Sequence, residues 1–200
     1  MPAKFMLPTR KSRTMRVRLP IIAPLWCILA PIEANASLWC SHHKGKTMSS
    51  NSEILDRARK RDTSLPYAGA VTPHEAYELL KCDPHVRLVD VRTNAERDWV
   101  GRVSIPAEQH HAAQWNLYPG GTPNPDFLAQ LAAVVPNKDT VIVFLCRSGV
   151  RSRHAAKAAT EAGYTQCYDI LEGFEGDKDA EGHRKTVGGW CKAGLPWMGA

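Results

Sequence analysis

The stretch from Thr140 to Ala156 constrains this chain more than any other. Val141-Ile142-Val143-Phe144-Leu145 is an unbroken apolar run with three β-branched residues, the pattern of a strand buried on both faces. Arg153 to Thr160 is Ala-rich and compatible with a helix. Between them lies Cys146-Arg147-Ser148-Gly149-Val150-Arg151-Ser152, so the join reads as strand end, tight loop and helix N-terminus. A cysteine in that position faces unpaired backbone N–H groups and the positive end of a helix dipole. The loop arginines add full positive charge, and all of these favour the thiolate, which is the nucleophilic form. Ser148 and Gly149 let the backbone curl so that its N–H groups converge on whatever is attached to the sulfur. A lone buried cysteine is most often a small hydrophobe. Here the arginines, the glycine and the following helix favour a nucleophile.

The surrounding chain alternates strands and helices. Leu65 to Ala70 reads as a linker, and Thr72-Pro73-His74-Glu75 as a capping box opening a helix to Lys81. Val86 to Val91 is strand-like and runs into Asp90-Val91-Arg92, followed by a short helix from Ala95 to Trp99. A weak strand is expected at His111 to Trp115. Phe127, Leu128, Leu131 and Val134 recur at helical spacing after Asn124-Pro125. The helix after the Cys loop extends to Ala162, and Gln166 to Leu171 forms a further strand. The tail from Gly173 is Gly-rich and ends in a short helix containing Trp190. This order predicts an α/β domain with a central parallel sheet and helices on both faces. In such sheets ligands bind at the C-terminal ends of strands, which places Asp90 to Arg92 and Cys146 at one pocket.

Asp90-Val91-Arg92, Glu96 beyond it, and the Cys146 to Ser152 loop together resemble the rhodanese (sulfurtransferase) domain, a single domain here from Leu65 to the C-terminus. Ala162-Gly163-Tyr164 and Leu171-Glu172-Gly173-Phe174 resemble that family's helix end and the loop after its next strand. The resemblance implies a covalent cycle. The Cys146 thiolate takes the sulfane sulfur of a donor such as thiosulfate, and a thiol or cyanide acceptor, or a protein acceptor, then removes it. The loop N–H groups from Arg147 to Ser152 hold the persulfide, Arg147 and Arg151 are candidates for an anionic donor, and Asp90, Arg92 and Glu96 brace the site. Arg92 and Glu96 stand at i,i+4 and could form a helix ion pair. Of the three bracing residues, Asp90 is expected to touch the Cys loop. The chain departs from the family at Gly101-Arg102-Val103-Ser104-Ile105-Pro106-Ala107, where many members have Gly-His-Ile-Pro-Gly-Ala. The rival enzyme is a cysteine-dependent phosphatase, whose loop reads C-x5-R. In this chain that seventh position is Ser152 and the arginine, Arg151, falls one earlier. A rhodanese-like carrier or regulatory module is the non-enzymatic alternative.

Residues 1–47 differ from the rest: they carry eight Lys/Arg and one acid, while the remaining 18 basic and 19 acidic residues nearly cancel. The net charge of +6 therefore belongs to this leader, and no nucleic-acid-binding motif is present. Its basic start, short apolar stretch from Ile21 to Ala30 and Ala34-Asn35-Ala36 fit a cleaved secretory signal. The apolar stretch is too short to span a membrane. Met48 offers a second start, with residues 48–64 a polar helical lead-in, and the expectation is translation from Met48 and a cytoplasmic protein; export is the alternative. Cysteines at 27, 40, 82, 146, 167 and 191 show no metal-type spacing, and the chemistry calls for no cofactor. Cys82 and Cys167 read as packing residues, and His42-His43 and His110-His111 as surface or hydrogen-bonded histidines.

Overall fold

The structure is a computed structural model describing residues 51–199, so the leader lies outside the described residues. Helix α1 (Asn51–Arg61) buries Ile54 and Ala58, four apart on one face. Strand β1 (Gly69–Val71) follows, where the sequence had suggested only a linker. It is a three-residue edge strand, made by parallel pairing with the distant β8 (Cys167–Ile170) and not by any local pattern. Gly69 is required there, because a Cβ would lie 2.6 Å from the Ala58 carbonyl oxygen of the overlying helix.

Helix α2 (Pro73–Cys82) begins in the anticipated capping box: Glu75 N donates to Thr72 Oγ1 at 3.2 Å and Thr72 N to Glu75 Oε2 at 2.9 Å. Strand β2 (Arg87–Asp90) leads to α3 (Asn94–Trp99), which opens in a second capping box, Thr93 with Glu96. The chain then forms β3 (Arg102–Val103), a short 3-10 turn, β4 (His110–Ala112), and the hairpin β5 (Asn116–Leu117) and β6 (Thr122–Pro123). Helix α4 (Phe127–Val134), strand β7 (Ile142–Leu145) and helix α5 (Val150–Glu161) precede β8. The chain closes with α6 (Gly189–Lys192) and β9 (Trp197–Met198), the latter antiparallel to β3.

Five strands form one parallel sheet in the order β1-β8-β7-β2-β4. Because β7 is central, both of its faces are covered, and this is why its sequence is apolar without alternation. Val143 and Leu145 join Leu88, Ile170, Leu79 and Trp190 in one core, while Ile142 and Phe144 join Val89, Phe127, Leu131 and Ala156 in the other. Each such side chain contributes about 1.5–3 kcal/mol on full burial. The sheet holds the C-terminal ends of β2, β7 and β8 side by side, and the candidate residues Asp90 and Cys146 lie at the ends of β2 and β7. Among the described residues no helix is long and apolar enough to cross a membrane.

Candidate active site

Cys146 follows β7 directly and is 1% exposed. Gly149 N donates to its Sγ at 3.1 Å, and the Ser152 hydroxyl lies 3.4 Å from the same sulfur while donating to Gly149 O at 2.9 Å. Gly149 sits at φ +92°, left-handed backbone open to glycine, and this curl turns its N–H inward and starts α5 at Val150, earlier than the Ala-rich run suggested. The loop therefore presents a donor, the end of a three-turn helix and a buried hydroxyl to one sulfur. Such fixed dipoles stabilise negative charge without reorganising.

The loop is held from behind by the segment after β8. Phe174 N donates to Cys146 O at 2.8 Å and Glu175 N to Arg147 O at 2.9 Å, so the two segments run as a short ladder. Gly173, at φ +66°, packs so closely that a Cβ would fall 2.5 Å from Cys146 O and 2.7 Å from Ser148 N. Glu172 is also left-handed, φ 65°, and its Oε2 accepts from Gly189 N at 2.7 Å, tying the α6 segment to the same place. Trp190 N in turn donates to Gly173 O.

Arg92 is fully buried and does not pair with Glu96. It grips Asp90 through Nε and Nη2, at 3.0 and 2.7 Å, donates to Gly101 O at 2.9 Å, and stacks 4.1 Å from the Phe174 ring centroid. Since Phe174 belongs to the segment behind the Cys loop, the Asp90–Arg92 pair acts on the loop through that ring. Glu96 is the acidic residue that reaches the loop itself. Its carboxylate takes both Nη atoms of Arg151, at 2.8 and 2.6 Å. Burial alone would raise the Glu96 pKa, but the Arg151 fork and the Thr93 backbone N–H outweigh it and hold it at about 2. The expectation that Asp90 would be the one to touch the loop is thus corrected. Residue 92 precedes α3, so its side chain is not on the helical face that an i,i+4 pair needs.

With Arg151 committed to Glu96, Arg147 is the exposed cation of the loop. Val150 is 60% exposed beside it. The other described cysteines differ: burial pushes the thiols of Cys167 and Cys191 up to about 11, and Cys82 sits exposed at the end of α2. No group of His, Cys, Asp and Glu among the described residues could hold a metal ion. A cleft bordered by Arg87, His111, Val135 and Val141 lies at the N-terminal ends of the strands and contains no residue of the Cys loop. His110 and His111 are partly buried; His111 is hydrogen-bonded to the Glu108 backbone, as the sequence suggested, while His110 Nε2 has no hydrogen-bond partner among the described residues. Sequence reasoning passed over Thr93 as a cap, although T-x-x-E was visible, and gave Gly173 no role beyond a motif.

Comparison with known proteins agrees with this geometry. Residues 72–180 match the rhodanese-like domain. An uncharacterized protein of Rickettsia conorii is 36% identical over 126 residues, covering 62% of this chain and 92% of that one. Thiosulfate sulfurtransferase 16, chloroplastic, of Arabidopsis thaliana is 32% identical over 138 residues, covering 68% of this chain and 95% of that one. The crystal structure of Rv0390 from M. tuberculosis matches with a TM-score of 0.62 at 45% identity, over 67% of this chain and 99% of that one.

Proposed function

The chain belongs to the rhodanese-like domain family, and from that premise we propose that it is a sulfurtransferase working through a persulfide on Cys146. The observation that carries the reading is the Gly149 N–H aimed at Cys146 Sγ from a left-handed turn at the start of α5. The Cys146 thiolate attacks the outer sulfur of a donor such as thiosulfate. A new S–S bond forms, the donor's S–S bond breaks, and sulfite leaves with the electron pair. The terminal sulfur of the persulfide carries the negative charge, and the inward N–H groups of the loop hold it. A thiolate or cyanide then attacks that terminal sulfur, the persulfide bond breaks, and the electron pair returns to Cys146. Protons and electrons balance without a cofactor.

Arg147 draws the anionic donor to the mouth, and Arg151, clamped by Glu96, fixes the first turn of α5. The Ser152 hydroxyl has two acceptors in reach, Gly149 O and Cys146 Sγ, and can turn to the sulfur when it becomes anionic. Thiosulfate is the donor of choice because one relative carries that substrate in its name. The phosphatase alternative is disfavoured by the spacing: C-x5-R puts its arginine seventh, where this chain has Ser152, and the sixth-position Arg151 has both Nη atoms on Glu96. The test is a side-by-side assay of the purified full chain, thiosulfate with cyanide against an aryl phosphate. Thiocyanate should form and phosphate should not; phosphate release without thiocyanate would reassign the protein.

A further inference from the structure

Asp169 is a fully buried carboxyl that the sulfur-transfer steps do not use. It lies on β8 opposite Phe144 of β7 in the parallel register. Cys146 stands two residues beyond Phe144 and so shares the sheet face with Asp169, as its diagonal neighbour across the strands. Strand spacing and rise put the two α-carbons about 8 Å apart. Phe144, Cys146, Cys167 and Tyr67 pack together on that face. The first turn of α5 links the two residues from above. Gly149, whose N–H donates to Cys146 Sγ, packs on the backbone after Asp169: a Cβ there would lie 3.9 Å from Ile170 O. Ser152 Oγ is 3.4 Å from the same sulfur, and the adjacent Arg153 brings Nε to 3.8 Å from Asp169 Oδ2.

The surroundings serve this carboxyl poorly as an anion. Oδ1 accepts from Tyr67 OH at 3.1 Å, but Oδ2 has no hydrogen-bond partner among the described residues. Arg153 is too far away to donate, and its side chain is 60% exposed, so solvent screens it. Burial raises the Asp169 pKa to about 6, against the opposing pull of Tyr67, Arg153 and Arg61. Asp62 acts on Tyr67 from the same side, and Cys167, on the same face of β8, has its thiol pushed up to about 11 by burial. A buried carboxyl with one oxygen unpaired, beside a nucleophile, is the pattern of a functional group.

We propose that Asp169 is a positioning residue of sulfur transfer: its negative charge, set deeper in the sheet than Cys146, favours the loaded persulfide over the bare thiolate. The inference rests on the persulfide cycle proposed above. Loading moves negative charge from Sγ to a terminal sulfur about 2 Å further out, towards the loop N–H groups. Unloading returns the electron pair to Sγ. A fixed negative charge behind Sγ repels the thiolate more than the longer persulfide, and protonation of Asp169 removes that bias. The domain therefore holds sulfur at neutral pH and yields it more readily in acid.

The test compares the full chain with Asp169→Asn, which keeps an acceptor for Tyr67. Each protein is equilibrated with fixed thiosulfate and sulfite from pH 5 to pH 8, and the persulfide on Cys146 is read by intact mass. The ratio of the two loading constants at each pH cancels the protonation of the small molecules. The wild type should load about twofold to fivefold more favourably at pH 7.5 and equally at pH 5, with a midpoint near 6. Tyr67→Phe removes a donor that lowers this pKa and should move the midpoint up, which keeps the test open if Asp169→Asn fails to fold. A ratio of one throughout, a reversed ratio at pH 7.5, or a midpoint unmoved in Tyr67→Phe would overturn the proposal. Alkylation of Cys146 by iodoacetamide tests the same charge without a sulfur donor. Its rate should show the step near 6 in the wild type and lack it in Asp169→Asn. The same alkylation profile in both proteins would overturn the proposal. A step in alkylation with no persulfide formed would keep the action of Asp169 on Cys146 and reject the transfer reaction instead.

Discussion

Glu96→Gln should cost the fold about 3 kcal/mol at pH 7, and the loss should vanish in acid. The folded carboxyl is held at about 2 against the ordinary glutamate value of 4.5, and each unit is worth about 1.4 kcal/mol. The side chain is 20% exposed and Arg151 21%, so solvent screening removes little of this. Gln keeps an oxygen for the Thr93 N–H but loses the charge that binds both Nη atoms of Arg151. Because the folded value is depressed, the contribution is complete above the unfolded pKa and is lost as pH falls towards 2. For a domain of about 150 residues, 1 kcal/mol moves the melting temperature by roughly 2–4 °C, so the neutral-pH difference should be about 6–12 °C. Thermal unfolding of both proteins from pH 7 to pH 2.5, followed by circular dichroism, reads it directly. A gap below about 2 °C at pH 7, or one that stays constant down to pH 3, would refute the view that this ion pair clamps the loop.

Asp169 should behave in the opposite sense. It is fully buried on β8, its Oδ1 accepts from Tyr67 OH at 3.1 Å, and burial raises its pKa to about 6. A raised carboxyl favours the fold below its unfolded value and loses that support as pH climbs through about 6. Asp169→Asn, which keeps the acceptor for Tyr67, should therefore raise the melting temperature at pH 7.5, with the gain gone at pH 4 in the same scan. Gly173→Ala places a Cβ against Cys146 O and strains a left-handed residue; a loss of about 2–4 kcal/mol in denaturant titrations is expected, with turnover falling further than stability. Arg92→Lys cannot reproduce the fork on Asp90 or the stack on Phe174, and should cost about 3–5 kcal/mol by the same titration.

What the sequence made legible was local. The capping box at Thr72, the apolar run of β7 and the Cys146 loop are contiguous patterns whose physics is complete within a few residues. What it hid was set by partners far along the chain. Strand β1 has no pattern of its own, and exists because β8, a hundred residues later, supplies its hydrogen bonds. Glu96 meets Arg151 across 55 positions, so the nearer Arg92 at i,i+4 drew the eye. Arg92 turned instead to Asp90, two residues back, because an extended segment carries i and i+2 on the same side. Gly173 was visible within a motif, but only the packed ladder to Cys146 and Arg147 explains why no side chain fits there.

The measurement that bears most directly on the central claim is the site of the transferred sulfur. The full chain is incubated with thiosulfate, freed of excess donor and digested without reductant, and its peptides are weighed. One added sulfur should appear on the peptide carrying Cys146, and Cys146→Ser should abolish both this adduct and turnover while the fold persists. Cys191→Ser should leave both in place, since that thiol is held protonated by burial. An adduct that survives Cys146→Ser, or turnover that disappears with Cys191→Ser, would contradict the assignment of the carrier to the loop at the end of β7.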